Sequence, residues 1–219
     1  MERTKAARSR VILPDWMPPD HPLHLHAPLR RRIRAGFDGS GIFLNIPYSS
    51  RYTRLEVGIM ATVTAYDLTP WMARQRLRVE MRLLKIVEMM LTCRYGLTDL
   101  SYVKRLNMPL ELGLLLAFGK ENFITSGKPY GAVKSISDLN FADIHYHRGR
   151  VRELIAGLSR WIEQSCSPKR LSAATLYGRY LRLWRIRRKL GSDFDKLRPQ
   201  EISALLGIAA DEFQLRLGG

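Results

Sequence analysis

Hydrophobic positions follow two different spacings along residues 38–165. Short apolar runs bounded by Gly or Pro predict buried strands, and apolar residues that recur every three or four positions predict amphipathic helices. The first four predicted elements are a strand at GIFLNIPY, a helix at RYTRLEVGIMATVTAYD, an ambiguous strand at PWMARQRL and a helix at EMRLLKIVEMMLT. They are followed by a strand at CRYGLTDLS, a helix at MPLELGLLLAFG, strands at GAVKSIS and FADIHYH, and a helix at RVRELIAGLSRWIEQ. In the helix at EMRLLKIVEMMLT, the side chains expected to turn inward are Leu83, Leu84, Val87, Met90 and Leu91.

This alternation of strands and helices predicts an α/β fold with right-handed βαβ units and a doubly wound parallel sheet. A G-x-G-x-x-G fingerprint is absent, and the GSG at residues 39–41 precedes the first strand, so a flavodoxin-like sheet fits better than a classic dinucleotide-binding fold. We expect this domain over residues 38–165, after a basic arm (residues 1–37) and before a small helical extension (residues 166–219).

The net charge of +16 lies mainly in the two flanks. Residues 1–35 carry 8 basic and 3 acidic side chains, and residues 148–219 carry 15 and 7, whereas residues 36–147 are nearly balanced. Such a field favours polyanionic partners: nucleic acid, an acidic protein face or phosphorylated metabolites. No apolar run approaches the ~18 residues of a membrane span, so no membrane partner is expected. The two distant cysteines and the lack of a secretory signal favour a cytoplasmic protein.

The N-terminal arm contains five prolines within residues 1–35, a density that prevents long helices and predicts an extended segment. His21, His24 and His26 are the only candidate metal ligands there. Asp20 is the one acidic residue beside them and no cysteine lies close by, and we expect a solvated arm and no metal site.

The C-terminal flank predicts a basic helix at ATLYGRYLRLWRIRRKLG and a second helix that starts at Pro199 and breaks at Gly207. Basic residues around Trp184 suit phosphate contact and stacking, although an ordinary helix with one buried and one solvated side is the alternative. The candidate nucleic-acid or partner contacts are Arg179, Arg182, Arg185, Arg187, Arg188 and Lys189. The last segment resembles a helix-turn-helix, but its recognition helix would begin with Asp211 and Glu212, which repel DNA phosphates, so a structural hairpin is favoured.

Ligands of open α/β sheets bind at the carboxyl ends of the strands. The residues expected at the end of the first strand are Asn45, Pro47, Tyr48, Arg51 and Tyr52, and those at the end of the strand at CRYGLTDLS are Asp99 and Ser101. We predict that Glu111 lies in the first turn of a helix that starts near Pro109, where the helix dipole keeps a carboxylate ionised.

Such a carboxylate could stabilise or attack an oxocarbenium-like sugar carbon. Asp99 and Asn45 could hold ribose hydroxyls, and Tyr48 or Tyr95 could stack on a base. The alternative is structural, because an acid in a first turn stabilises its helix and Asp99 could cap the turn after its strand. The complete set of candidate substrate-binding residues is Asn45, Tyr48, Arg82, Tyr95, Ser101 and Asn107, and the candidate catalytic residues are Glu111 and Asp99.

Four segments, FLNIPYSSRY, RLLKI, CRYGLTDLS and NMPLELGLLLAFGK, occur in an order that resembles a bacterial family of nucleoside 2-deoxyribosyltransferase-like proteins. These proteins are distant relatives of Toll/interleukin-receptor domains and often occur beside phage-defence genes. The resemblance covers residues 42–165 and implies an N-glycosidic-bond site. It assigns the family's glutamate to Glu111, its strand-end aspartate to Asp99, and its polar loop to Asn45 and Tyr48.

The resemblance therefore implies a hydrolase or transferase that acts on a nucleoside or nucleotide and serves in anti-phage defence. It implies no required cofactor, with NAD among the candidate substrates, and a homo-oligomer or defence complex as the working form. The alternative is a catalytically degenerate subunit that senses a nucleotide or binds nucleic acid. Basic flanks that dock an acidic partner protein are a third reading.

Overall fold

The computed structural model of the chain describes residues 27–73, 82–101, 107–127 and 144–207. Five parallel strands form one sheet in the order β2-β1-β3-β4-β5, which confirms the predicted α/β, flavodoxin-like architecture. The strands are β1 (Asp38–Asn45), β2 (Thr69–Trp71), β3 (Cys93–Asp99), β4 (Glu121–Ser126) and β5 (Ile144–Tyr146). The helices are α1 (Ala27–Ala35), α2 (Thr53–Ala65), α3 (Arg82–Thr92), α4 (Asn107–Ala117), α5 (Val151–Ser165), α6 (Ala173–Leu190) and α7 (Pro199–Gly207).

The two faces of the sheet pack against different helices, as a buried parallel sheet requires. Ile42 and Leu44 of β1 face the larger core cluster, which includes side chains of α2, α5 and α6. Phe43 points to the other face, where it packs with Met90 of α3 and Leu115 of α4. The alternation along β1 follows from the two-residue period of a strand.

The C-terminal helices belong to the same core as the sheet, although the sequence analysis treated them as a separate extension. Helix α6 packs along α2 and buries four residues on one side. The buried side chains that this segment adds to the larger cluster are Leu176, Tyr180, Leu183, Ile186, Phe194, Ile202 and Leu206. Helix α7 starts at Pro199, as predicted, and Gly207 is the last residue that the structure describes, so the predicted break there stays a prediction.

Several local predictions were wrong. Residues 27–35 form a helix rather than part of an extended arm, and Leu83 of α3 is exposed rather than turned inward. Strand β4 was missed because its buried Thr125 and Ser126 give no apolar run. The predicted strand at GAVKSIS lies outside the described residues, as do the helix-turn-helix residues Asp211 and Glu212. No helix within the described ranges is both long and apolar enough to cross a bilayer.

Helix α5 lies unusually close to β5, and Gly157 makes this approach possible. A Cβ atom at Gly157 would overlap the imidazole of His145. That ring is held by a 2.9 Å hydrogen bond from Nε2 to the Glu153 carbonyl oxygen and by packing on Phe123. The contact between α5 and β5 therefore depends on the absence of a side chain at residue 157.

We expect Gly157→Ala to lower the free energy of unfolding by about 1–3 kcal/mol, because an added methyl group forces a packed core apart. Gly178→Ala is the matched control, since a Cβ there meets nothing within 4 Å. In that helix interior alanine should stabilise by about 0.5–1 kcal/mol. Urea unfolding of both variants measures the difference, and equal effects would contradict the close approach.

Asp38 joins β1 to β2 at the start of the sheet. Its carboxylate accepts hydrogen bonds from the Ser40 backbone N–H (2.9 Å), the Ser40 hydroxyl (2.6 Å) and the Trp71 indole N–H (3.0 Å). Partial burial by itself raises the pKa of Asp38, but the hydrogen bonds from Ser40 and Trp71 outweigh it, so the pKa lies below its usual 3.8.

Because the folded-state pKa is depressed, the stability that Asp38 contributes is present above pH 3.8 and is lost as the pH falls through the folded value. We expect Asp38→Asn to lower the free energy of unfolding at pH 7 by about 1 kcal/mol, discounted for partial exposure. The deficit should shrink when urea unfolding is repeated well below pH 3.8. A deficit that stays constant with pH would contradict the role of the ionised carboxylate.

Candidate functional site

A small cleft lies at the carboxyl edge of the sheet, between the end of β1 and the start of α4. One wall consists of Asn45, Ile46, Pro47 and Tyr48, and the other consists of Asn107, Met108 and Glu111. The chain leaves β1 toward β2 on one side, whereas β3 lies on the other, so the winding of the sheet reverses here. Such a switch point is the usual ligand site of a doubly wound sheet. The cleft has a volume of about 60 Å³.

Four of the predicted site residues therefore lie together: Asn45, Tyr48, Asn107 and Glu111 line this one cleft. Asn107 is exposed and opens α4, Tyr48 is 36% exposed at the mouth, and Glu111 is half-buried. Asn45 is only 3% exposed. Because ligands of open α/β sheets bind at the carboxyl ends of the strands (the strand-end rule), these residues were predicted to lie at the same edge although they come from two distant segments.

Helix α4 begins earlier than predicted, which changes the position of Glu111. Asn107 is the first helical residue that the structure describes, Pro109 is the third, and no acidic residue lies in the turn that Asn107 starts. Glu111 is therefore in the second turn, where a carboxylate gains less from the free N–H groups at the helix N-terminus. Stabilisation of the helix dipole is consequently a weaker reason for an acid at this position.

Asn45 holds the start of α4 against the sheet. Its side-chain amide Nδ2 donates a 2.8 Å hydrogen bond to the Met108 carbonyl oxygen and lies 3.5 Å from the Thr98 hydroxyl oxygen. The side chain is buried, so these contacts are shielded from water. Asn45 thus fixes the distance between the two walls of the cleft.

Asp99 does not line the cleft but is completely buried at the end of β3. Its Oδ2 accepts a 2.6 Å hydrogen bond from the Tyr52 hydroxyl and a 2.9 Å hydrogen bond from His147 Nε2. Its Oδ1 accepts the backbone N–H of Ser101 at 2.8 Å. The carboxylate therefore binds three protein donors, and the prediction that Asp99 faces substrate does not fit this placement.

The two ring nitrogens of His147 have different hydrogen-bond partners. The backbone N–H of Gly149 donates to Nδ1 at 3.0 Å, so Nδ1 carries a lone pair and Nε2 carries the proton that goes to Asp99. The Ser101 hydroxyl oxygen lies 3.3 Å from the same Nε2 and accepts the Gly127 backbone N–H at 2.7 Å. Both Ser101 and Asp99 contact one ring nitrogen, whereas a nucleophilic triad uses two, so this cluster is not a serine hydrolase site.

Residues 147–150 form a tight turn between β5 and α5. The Arg150 N–H donates to the His147 carbonyl oxygen at 2.7 Å, and the two central residues, Arg148 and Gly149, have φ angles of 51° and 73°. Positive φ at both central positions is typical of a type I′ turn, and it is unusual for an arginine. His147 anchors this turn to Asp99 and thereby sets where α5 begins.

Sequence reasoning placed Tyr52 at the end of the first strand but assigned it no role, and it did not include His147. Tyr52 follows β1 in the same loop as Tyr48, and His147 directly follows β5, so the strand-end rule that identified Asp99 applies to both. What the sequence lacked was a sign that the three side chains meet, because Tyr52 and His147 lie 47 and 48 positions from Asp99.

Two other residues predicted to bind substrate, Tyr95 and Arg82, do not line the cleft as far as the structure describes them. Tyr95 is 3% exposed in the first half of β3 and packs edge-on against Trp161 of α5, with ring centroids 6.2 Å apart. It is a core residue, so the prediction that it stacks on a bound base was wrong. Arg82 starts α3, but its side chain is outside the described part of the chain.

The predicted basic surface of α6 divides into structural and exposed residues. Arg182 Nη1 lies 3.4 Å from the Leu206 carbonyl oxygen. Arg187 donates to the Gly191 carbonyl oxygen and forms a 3.0 Å ion pair with Asp195. Arg179 is half-buried, and the exposed cations are Arg185, Arg188 and Lys189.

Among the described residues, no group of three or more His, Cys, Asp and Glu side chains is arranged to hold a metal ion. His21, His24 and His26 lie outside those residues. The candidate site consists of the cleft and the buried network beside it.

No family model, no curated protein and no solved structure matches this chain.

We expect Asp99→Asn to lower the free energy of unfolding by about 2–4 kcal/mol, because an amide N–H₂ would face donors that now meet a carboxylate. Tyr52→Phe is the graded control, since it removes one donor, keeps the buried ring and should cost about 1–2 kcal/mol. Urea unfolding measures both. If Asp99→Asn were no less stable than Tyr52→Phe, Asp99 would not be the centre of the network.

Proposed function

We propose that this protein binds a nucleoside or nucleotide at the switch-point cleft and cleaves or transfers its N-glycosidic bond. One observation carries the proposal: Asn45, Tyr48, Asn107 and Glu111, from segments far apart in sequence, line a single cleft where the sheet reverses its winding. A half-buried carboxylate, two amides and an exposed aromatic ring are the groups that a nucleoside site needs. The resemblance of the same segments to nucleoside 2-deoxyribosyltransferase-like proteins supports this reading.

Glu111 is the group that we assign to the chemistry. As the C1′–N bond breaks, its electron pair leaves with the base and positive charge develops at C1′. The Glu111 carboxylate stabilises that charge or forms a bond to C1′, and water or a second base then completes hydrolysis or transfer. Tyr48 at the mouth of the cleft offers a ring face to the base.

Asp99 acts in this proposal as a positioning residue. It is completely buried, and its bonds to Tyr52 and His147 hold the loop after β1 and the turn before α5. Asn45 likewise positions α4 through its bond to the Met108 carbonyl oxygen. The substrate contacts that remain are Tyr48, Asn107 and Glu111.

Binding requires the cleft to widen. Its volume of about 60 Å³ holds roughly two water molecules, whereas ligand sites usually measure about 300–1,000 Å³. Asn45 is bonded to α4, so the Pro47–Tyr48 side, which carries the exposed ring, is the wall that we expect to move.

We expect the purified protein to release free base or nicotinamide from at least one member of a panel of NAD, nucleosides and nucleotides. Glu111→Gln should reduce the rate at least about 100-fold, because the amide cannot stabilise positive charge at C1′. Glu121→Gln is the matched control, since Glu121 is exposed at the opposite end of the sheet, and it should keep the wild-type rate. Chromatography of the released base measures all three.

Equal rates in wild type and Glu111→Gln would contradict the assignment of Glu111. No release from any member of the panel would leave the second candidate, a protein that binds a nucleotide without cleaving it. The small cleft and the burial of Asp99, which leave one cleft-lining acid among the described residues, favour that alternative. Calorimetric titration of the same panel separates the two candidates, because a protein that only binds a nucleotide gives a binding signal but releases no base.

For the enzyme, NAD depletion in phage defence is the biological role that we propose.

A further inference from the structure

A second, larger groove lies between the first turns of α2 and α5 and one stripe of α6. Its volume is about 640 Å³, which is within the usual range of ligand sites. The stripe of α6 consists of Tyr177, Tyr180, Leu181 and Trp184, which follow the three- and four-residue spacing of one helix face. The facing wall carries Arg54 and residues 149–153.

Two exposed arginines of this wall stack on aromatic rings of α6. The guanidinium carbon of Arg54 lies 5.6 Å from the ring centre of Trp184, and that of Arg152 lies 4.5 Å from the ring centre of Tyr177. Such a cation–π contact restrains each guanidinium group beside its ring, and guanidinium N–H donors are the groups that bind phosphate. A fixed guanidinium edge is well suited to the paired oxygens of a phosphate.

The groove is electropositive. Arg54, Arg150 and Arg152 are its cations, and Glu153 is the one acid among the residues that line it. Glu153 is already paired with Arg150, at 2.9 Å, so Arg54 and Arg152 are left to set the sign of the field. Arg150 precedes α5 without a side-chain cap, so the positive end of that helix dipole adds to the same field.

The spacing of the two stacked pairs indicates a ligand with more than one phosphate. Tyr177 and Trp184 lie about two helical turns apart on α6, or roughly 10 Å along its axis. The two rings that these arginines contact are therefore separated by more than the width of one phosphate group. A chain of phosphates with planar groups between them can contact both arginines.

An adjoining cavity extends the groove along α5 and α6. It has a volume of about 520 Å³, shares Arg152 and Tyr177 with the groove, and is lined mainly by apolar side chains such as Ile155, Leu171 and Leu176. Apolar surface next to a stacked arginine accommodates the faces of bases, as in proteins that bind single strands. A polyglutamate-like peptide lacks the aromatic rings that would pack on this surface.

We propose that this groove binds single-stranded nucleic acid, with phosphates on Arg54 and Arg152 and bases against the aromatic stripe of α6. The residues differ from those of the switch-point cleft, so the inference does not depend on N-glycosidic chemistry. The sequence predicted nucleic-acid contact by the basic residues of α6, but its exposed cations Arg185, Arg188 and Lys189 do not line the groove.

The test is binding of a fluorescein-labelled oligothymidylate of about 16 nucleotides to the full chain, by anisotropy, between about 50 and 200 mM salt. We expect Arg54→Gln/Arg152→Gln to weaken binding about 10- to 30-fold and to reduce the salt slope by about 1.4, because each lost phosphate contact on a single strand accounts for about 0.7. Arg185→Gln/Arg188→Gln removes the same charge from exposed positions of α6 and should change the affinity less than about threefold.

A second readout locates the bases. Stacking on Trp184 should quench tryptophan fluorescence, and Trp184→Phe should abolish most of that quenching while it keeps a ring in the groove. Absence of binding at the lowest salt, or equal losses in the two arginine double variants, would overturn the proposal. Displacement of the oligonucleotide by polyglutamate at equal charge would also overturn it, and would assign the groove to an acidic protein segment.

Discussion

The rest of the site depends on the hydrogen bonds that the buried Asp99 carboxylate accepts. A carboxyl group that is wholly removed from water is costly unless hydrogen-bond donors replace its hydration. Here the donors come from three places: Tyr52 in the loop after β1, Ser101 after β3, and His147 after β5. The segments that follow three strands are therefore tied to one side chain, and a shift in any of them would remove one of its three hydrogen bonds.

The hydrogen bonds of Asp99 help to position residues of both proposed ligand sites. The loop that carries Tyr52 begins with the Pro47–Tyr48 wall of the cleft and ends at α2, whose first turn supplies Arg54 to the groove. The turn that follows His147 sets the start of α5 and hence the position of Arg152. The positive φ angles of Arg148 and Gly149 are maintained because the imidazole is held on both nitrogens.

The two carboxylates at this edge of the sheet have opposite environments. Asp99 is enclosed and has three donors, which suits a structural charge, whereas Glu111 is half-buried beside an open cleft. The arginines of α6 divide in a similar way. Arg187 already donates to the Gly191 carbonyl oxygen and forms an ion pair with Asp195. The number of basic residues in α6 is therefore larger than the number of cations that can bind a partner.

The sequence by itself determined the order of most elements, the parallel sheet and the residues that gather at its switch point. These follow from local periodicity and from the handedness of βαβ units, and neither depends on knowing which side chains touch. Tertiary structure alone decided that Asp99 is enclosed, that Tyr95 belongs to the core and that β4 is a strand despite its polar Thr125 and Ser126. The reason is physical: burial and hydrogen bonding at these positions depend on partners that are distant in sequence, and a local pattern of polar and apolar residues contains no record of them.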